Sequence, residues 1–288
     1  MKLAFTSDLH SGASELNDSK IKELADYLNI DQPEAFNIIG DLGYWTNEHT
    51  ESCLKKFKNL TCDKNFTAGN HCIYTWRCYD DSFEIYNKVL PQEAKDNNFN
   101  FLDFKPWIKD NVAIVGSINW YDLTWMDKEF IKYNPAAEVM YKRQEFFNGF
   151  HCDNQYVHKA DRKRWNNKEF TDYVVARLEQ QLRDLPSEVN YIVLATHHPA
   201  HRLMLPPKRA DDDFMWTGYS GNERVENIAV TDKRIKLVVG GHTHWHVDTT
   251  ITTPDSRPLQ LINIGSSFRQ KSLYVLDTET SSVERIIF

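Results

Sequence analysis

The sequence predicts a layered α/β fold, with sheets and helices stacked on one another. Short β-rich runs alternate with stretches of helical period through the first half of the chain, and several more strand-like runs close it. Its 288 residues are enough for one large core, so a single domain over 1–288 is expected.

Lys2 to Ser7 reads as the first strand. Leu16, Ile21, Leu24, Ala25 and Leu28 recur at near-helical spacing, which predicts an amphipathic helix over 18–29. Phe36 to Ile39 is the next strand, residues 47–58 look helical, and Asn65 to Ala68 is a short strand. Residues 80–90 predict a helix stopped by Pro91. Phe99 to Phe104 and Asn111 to Ser117 read as strands, the second built on Val112-Ala113-Ile114-Val115. From about 120 to 168 aromatics and charges crowd together without a clean period, and this stretch reads as a cap-like insertion over the site. Phe170 to Leu185 is a helix with Val174, Leu178, Gln181 and Leu182 along one side. Tyr191 to Ala195 is a buried-type strand, and 200–225 reads as a long loop holding Pro206-Pro207 and the acidic triplet Asp211 to Asp213. Ile235 to Val239, Leu259 to Ile264, Ser272 to Asp277 and Ser282 to Phe288 are strands, the last two joined by a hairpin turn over Thr278 to Ser281.

Composition narrows the function. With 41% hydrophobic and 26% charged residues the chain reads as soluble and globular. No apolar run reaches the length of a membrane span, and Leu3-Ala4-Phe5 is too short for a signal peptide. Five cysteines without a C-x-x-C pair fit a reducing compartment, hence a cytoplasmic location. A net charge of −7 argues against binding bulk nucleic acid. It leaves room for a small phosphorylated substrate, because bound cations bring positive charge the formal count omits. Oligomeric state is not encoded in any of these features.

Five patches carry the chemistry: Asp8-Leu9-His10, Gly40-Asp41, Gly69-Asn70-His71, Thr196-His197-His198-Pro199 and Gly241-His242-Thr243-His244. Each follows a short apolar or β-rich run, where an open α/β sheet places its active site. Carboxylate, amide and imidazole together suit Mn, Fe or Zn. Residues two apart on an extended segment point the same way, so Asp8 with His10 and His242 with His244 can each converge. Gly40, Gly69 and Gly241 allow tight turns. Singly, each patch is ordinary: an Asp after a strand caps or turns, an Asn turns, and a lone His is structural. Five of them in one chain point instead to a metal site.

The order D-x-H, GD, GNH, H and GHxH resembles that of the calcineurin-like metallophosphoesterases, and it runs from residue 8 to residue 244. The resemblance implies a four-layer αββα sandwich of two facing mixed β-sheets flanked by helices. It implies a hydrolase holding two metal ions, Mn, Fe or Zn, with Asp8, His10, Asp41 and His244 around one and Asp41, Asn70, His197 and His242 around the other. Asp41 is then the bridge. A metal-bridging hydroxide would attack phosphorus in line with the leaving oxygen, and His71 would protonate the leaving group.

Departures from the pattern refine the substrate. Many relatives carry an acid directly after G-N-H, where it supports the catalytic His; here Cys72 stands there, so His71 is either less basic or held by another acid, with Asp80 and Asp81 as candidates. Relatives acting on phosphoproteins continue G-D toward an Arg that grips phosphate, whereas this chain reads Leu42-Gly43-Tyr44-Trp45. A small phosphodiester is therefore favoured over a phosphomonoester or a phosphoprotein, and a nuclease or a non-catalytic scaffold is less favoured still. Trp120, Tyr121, Trp125, Tyr141 and Trp165, with Arg162, Lys163 and Arg164, would let the insertion stack a base and hold a second phosphate, or would simply pack the cap. His198, His201 and His246 lie next to ligand candidates and read either as pocket-lining or as structural.

Overall fold

The computed structural model describes residues 1–45, 47–75, 80–147, 149–160 and 165–288. Its strands are β1 (Lys2–Thr6), β2 (Ala35–Ile39), β3 (Asp63–Thr67), β4 (Asn100–Phe101), β5 (Trp107–Lys109), β6 (Val112–Ser117), β7 (Glu145–Phe146), β8 (Gly149–Phe150), β9 (Tyr191–Thr196), β10 (Ile235–Gly240), β11 (Val247–Thr252), β12 (Pro258–Asn263), β13 (Ser272–Asp277) and β14 (Ser282–Ile287). The helices are α1 (Glu15–Ile30), α2 (Asn47–Phe57), α3 (Ser82–Glu84), α4 (Leu90–Asp96), α5 (Lys128–Tyr133), α6 (Ala136–Arg143), α7 (Cys152–Tyr156), α8 (Asn167–Asp184), α9 (Asp211–Gly218) and α10 (Glu223–Thr231).

Two six-stranded sheets face each other, in the orders β14-β13-β1-β2-β3-β4 and β11-β12-β10-β9-β6-β5. Both are mixed. β1 to β4 run parallel with β13 antiparallel beside β1, and β12, β10, β9 and β6 run parallel between the antiparallel edges β11 and β5. Period-two alternation sorts the side chains. Leu3, Phe5, Ile39 and Leu276 of the first sheet meet Ile114, Val193, Ala195, Val239 and Ile262 of the second. Ala4, Phe36, Ile38 and Phe66 turn the other way, against Ile21, Leu24 and Leu28 of α1 and Leu54 and Phe57 of α2. Val115, Ile192, Leu194 and Val238 pack against α8 and α10 through Val175, Leu178, Leu182, Val225 and Ala229. These are the four αββα layers expected. Among the described residues no helix is long and apolar enough to cross a membrane.

Three local expectations are corrected. Pro91 does not stop a helix at 90: a π-helical turn, Ile85–Val89, precedes it, and the proline sits in the first turn of α4, where its missing N–H is not needed. The 200–225 segment is not a plain loop, because it holds α9 and the start of α10. The acidic triplet is the first turn of α9, where carboxylates meet unsatisfied N–H groups, and the Asp213 carboxylate accepts from the N–H of Arg209 and Ala210. The long strand expected over 99–104 shortens to β4, since Leu102 to Lys105 turn away toward β5.

One buried carboxylate ties the sheets together. Asp103 accepts from the N–H of Ala68 after β3 (2.9 Å), the N–H of Ile118 after β6 (2.6 Å) and the hydroxyl of Tyr86 (2.8 Å). Burial nevertheless pushes its carboxyl up to about 6 from an ordinary 3.8. The folded protein therefore holds a proton here that the unfolded chain releases first, so this group's stabilisation is full below about pH 4 and declines as pH rises through 6. Urea unfolding of wild type and Asp103→Asn across pH 4–7 should show the wild type losing about 2–3 kcal/mol relative to the variant over that window. Parallel profiles would refute the assignment.

Candidate metal centre

Each of the five patches lies just past the carboxyl end of a strand. Asp8 and His10 follow β1, Asp41 follows β2, Asn70 follows β3, His197 follows β9, and His242 and His244 follow β10. Backbone bonds lace these segments to one another: Asp8 N–H to Gly40 O (3.2 Å), His10 N–H to Asp41 O (2.9 Å), His197 N–H to Ser117 O (3.1 Å) and Gly241 N–H to His197 O (3.0 Å). Asn17 of α1 adds a side-chain clamp, donating to the carbonyls of Leu9 (2.9 Å) and His10 (2.8 Å).

The local geometry differs from the extended one expected for D-x-H and H-x-H. Asp8 (φ 52°), His10 (45°), Asp41 (49°), His242 (68°) and His244 (54°) all occupy left-handed backbone. Convergence thus comes from tight turns at the ligand positions themselves rather than from strand alternation. Non-glycine residues held there cost of order 1–3 kcal/mol each, a strain that clusters at functional sites. Gly40 is left-handed too (φ 75°), and a Cβ added there would collide with the His197 ring.

All seven ligand candidates come together. Ligand atoms of Asp8, His10 and His244, of Asp8, Asp41 and His197, and of His10, Asp41 and His71 each lie within 4.8 Å of one another. Asp41 Oδ2 stands 3.6 Å from His10 Nε2 and 3.4 Å from His197 Nε2, while its Oδ1 accepts from the N–H of His71 at 3.0 Å. His10 and His244 stack with Nε2 atoms 3.3 Å apart. Asn70 Oδ1 faces His197 Nε2 (3.1 Å) and His242 Nδ1 (3.2 Å). Asp8 Oδ1 accepts from the N–H of His242 (2.9 Å).

The donor set suits cations. Burial pushes His10 and His242 well below the ordinary histidine range, leaving the neutral imidazole that ligation requires. Burial also opposes charge on Asp41, yet the imidazoles of His197, His71 and His10 outweigh it and hold the carboxyl well below its usual range. For His197 burial is likewise outweighed by Asp41, which takes the imidazole up to about 9. A cation between these lone pairs would do what that proton does. The donor set is thus one a metal ion fits.

His71 is half-buried beside the cluster. Its Nδ1 lies 2.5 Å from the backbone carbonyl of Tyr44. A carbonyl only accepts, so Nδ1 carries a proton and Nε2 is left to face the site. Neither Asp80 nor Asp81 takes that place; Asp81 caps α3 through the N–H of Phe83 and Glu84. Cys72 is fully buried, and burial pushes its thiol up to about 12. A backbone carbonyl, which no side-chain motif announces, therefore stands where relatives use an acid.

Of the other candidate histidines only His198 touches the cluster, its ring 4.1 Å from that of His242. His198 is buried with Nδ1 on Ile118 O (2.9 Å), His201 accepts from Leu203 N–H (3.1 Å), and His246 bonds the Tyr274 hydroxyl. Trp120, Tyr121, Trp125 and Tyr141 are core side chains of the 120–168 segment, and Trp165, 8% exposed, lines a surface cavity with Lys159, Asn166 and Phe170; Arg162, Lys163 and Arg164 lie outside the described residues. The aromatics that do border the cluster come from elsewhere. Phe268, 41% exposed, lies 5.0 Å from the His10 ring and 5.5 Å from Tyr44. Sequence reasoning missed Phe268 because nothing near it marks a site.

A sequence model of the calcineurin-like phosphoesterases matches residues 1–246, and the chain belongs to that family. The family is metal-dependent, and the described residues include groups that could hold a metal ion. Among solved structures it resembles a dimetal phosphatase from Danio rerio, with 10% identity over 96% of this chain and 93% of that one and a TM-score of 0.53. This likeness concerns the fold alone. Further matches are the NAD nucleotidase of Haemophilus influenzae (13% identity, 99% and 55% covered, TM-score 0.49) and a 5'-nucleotidase precursor from Thermus thermophilus (12%, 100% and 54%, 0.46). The chain spans about half the length of these two nucleotidases. No curated protein matches.

The Gly40→Ala variant should lose roughly 1–3 kcal/mol of stability and most of its metal uptake, because the left-handed turn and the His197 ring both resist a Cβ. Thermal unfolding together with metal analysis checks this; wild-type values for both would exclude the proposed crowding.

Proposed function

We propose that the chain hydrolyses a small phosphodiester at a two-metal centre held by Asp8, His10, Asp41, Asn70, His197, His242 and His244, with His71 as general acid. The observation that carries this reading is the convergence of all seven ligand-type side chains from five loops onto one buried point. Mn, Fe and Zn each suit this mixed set of carboxylate, amide and imidazole. Bound there, the ions would activate water and neutralise charge on the phosphoryl oxygens.

The protein's own part is positioning. Asp41 is oriented by the N–H of His71, so the bridging carboxylate and the acid imidazole are set by the same turn. Tyr44 O fixes the His71 tautomer, and in the imidazolium form Nε2–H points at the place where a leaving oxygen would sit. Phe268, 41% exposed and 5.0 Å from the His10 ring, would offer an apolar contact to one ester group. With no arginine at 42–45 to grip a dianionic monoester, the diester is preferred.

The test is hydrolysis of bis(p-nitrophenyl) phosphate beside p-nitrophenyl phosphate, on metal-stripped protein with Mn, Zn or Fe added back. Metal-dependent turnover preferring the diester is expected. Preference for the monoester would move the assignment to a phosphatase, and two bound ions without turnover of either would indicate a scaffold or a narrower substrate.

The His71→Ala variant should keep its metal and lose roughly 10²–10⁴ in kcat, most with poor leaving groups. An equal loss for 2,4-dinitrophenyl and phenyl esters would remove His71 from the acid role.

A further inference from the structure

Asp153 belongs to the insertion, on α7, 83 residues from Asn70, yet it is 2% exposed and touches the metal-binding amide. Its Oδ1 accepts from Asn70 Nδ2 (2.9 Å) and from the Tyr74 hydroxyl (2.7 Å), and Asn70 Nδ2 also reaches that hydroxyl oxygen (2.9 Å). Its Oδ2 lies 3.5 Å from His151 Nδ1.

An asparagine amide can face a cation only through oxygen, and its two ends are nearly equal in size. Rotated by half a turn, Asn70 would set its NH₂ against His197 and His242 and its oxygen against Asp153. The carboxylate forbids that, because two acceptors would then face each other at hydrogen-bond distance. We infer that Asp153 is a positioning residue: it locks the Asn70 amide with Oδ1 toward the ligand cluster, so that the insertion completes one of the two cation positions. The inference rests on the dimetal reading above.

The consequence is site-selective. The ion held by Asp8, His10, Asp41 and His244 owes nothing to Asp153, whereas the position that uses Asn70 depends on it. Groups behind metal ligands are typically worth about 10–100-fold in affinity.

Titration of metal-stripped protein with Co²⁺, followed by visible absorption and calorimetry, resolves the two positions without any turnover. In Asp153→Ala and in Asp153→Leu, which keeps the volume, one affinity should fall about 10–100-fold while the other stays at its wild-type value. Asp153→Asn retains an acceptor oxygen and should recover most of the loss. In an Asn70→Ala background, Asp153→Leu should add little, because the residue it acts through is gone. Wild-type affinities in both deletion variants would overturn the inference. So would a loss of the same size in the Asn70→Ala background, which would assign Asp153 to packing of the insertion. If wild type takes up fewer than two Co²⁺, or Asn70→Ala keeps both, the dimetal reading fails first and this one with it.

Discussion

Asp41 is a carboxylate sealed from water at the junction of two sheets, and keeping it satisfied constrains everything around it. It is 1% exposed, with a backbone N–H on one oxygen and imidazoles of both sheets near the other. A buried charge without such partners costs several kcal/mol. The partners follow β1, β3 and β9, so the two facing sheets must hold one relative position at their carboxyl ends. The shared apolar layer holds them face to face, but Leu, Ile and Val would tolerate small slips. The polar junction does not.

That junction is stiff because it is built from backbone as much as from side chains. Five ligand candidates sit on left-handed turns, and the loops after β1, β2, β9 and β10 are joined by backbone bonds such as Asp8 N–H to Gly40 O and Gly241 N–H to His197 O. Strain of this kind is stable only where the surroundings over-determine it. Here the strand ends, the Asn17 clamp and Asp103 between Ala68 and Ile118 do so. The strain goes with a fixed convergence of the side chains.

What could be read from sequence was what is local in sequence. The central strands of both sheets are short-range patterns, legible to within a few residues, whereas the edge strands β5 and β11 carry no apolar run that marks them. Three kinds of feature were hidden. The Tyr44 carbonyl that orients His71 is a backbone atom common to every residue, whereas a sequence displays only side-chain acids such as Asp80 and Asp81. Asp153 and Phe268 reach the centre across long separations that no periodicity encodes. Trp120, Tyr121 and Trp165 have the composition of a ligand-stacking cap, and only burial distinguishes that from a packed one. The acidic triplet that opens α9 is the composition of a helix start, and the prolines just upstream give the same stretch the composition of a loop.

The position of β1 sets the order in which this molecule can be completed. β1 leaves a ribosome before any other strand of its sheet yet lies in the middle of that sheet, between β2 and β13, so one of its edges remains unpaired until residues 272–277 emerge. Of the ligand candidates, His242 and His244 are likewise made late. A nascent chain can therefore assemble the Asp8, Asp41 and Asn70 side of the centre on β1, β2 and β3 while still lacking both the last imidazoles and the strand that closes the sheet. Completion of the side-chain cluster and closure of the sheet are thus late, nearly simultaneous events.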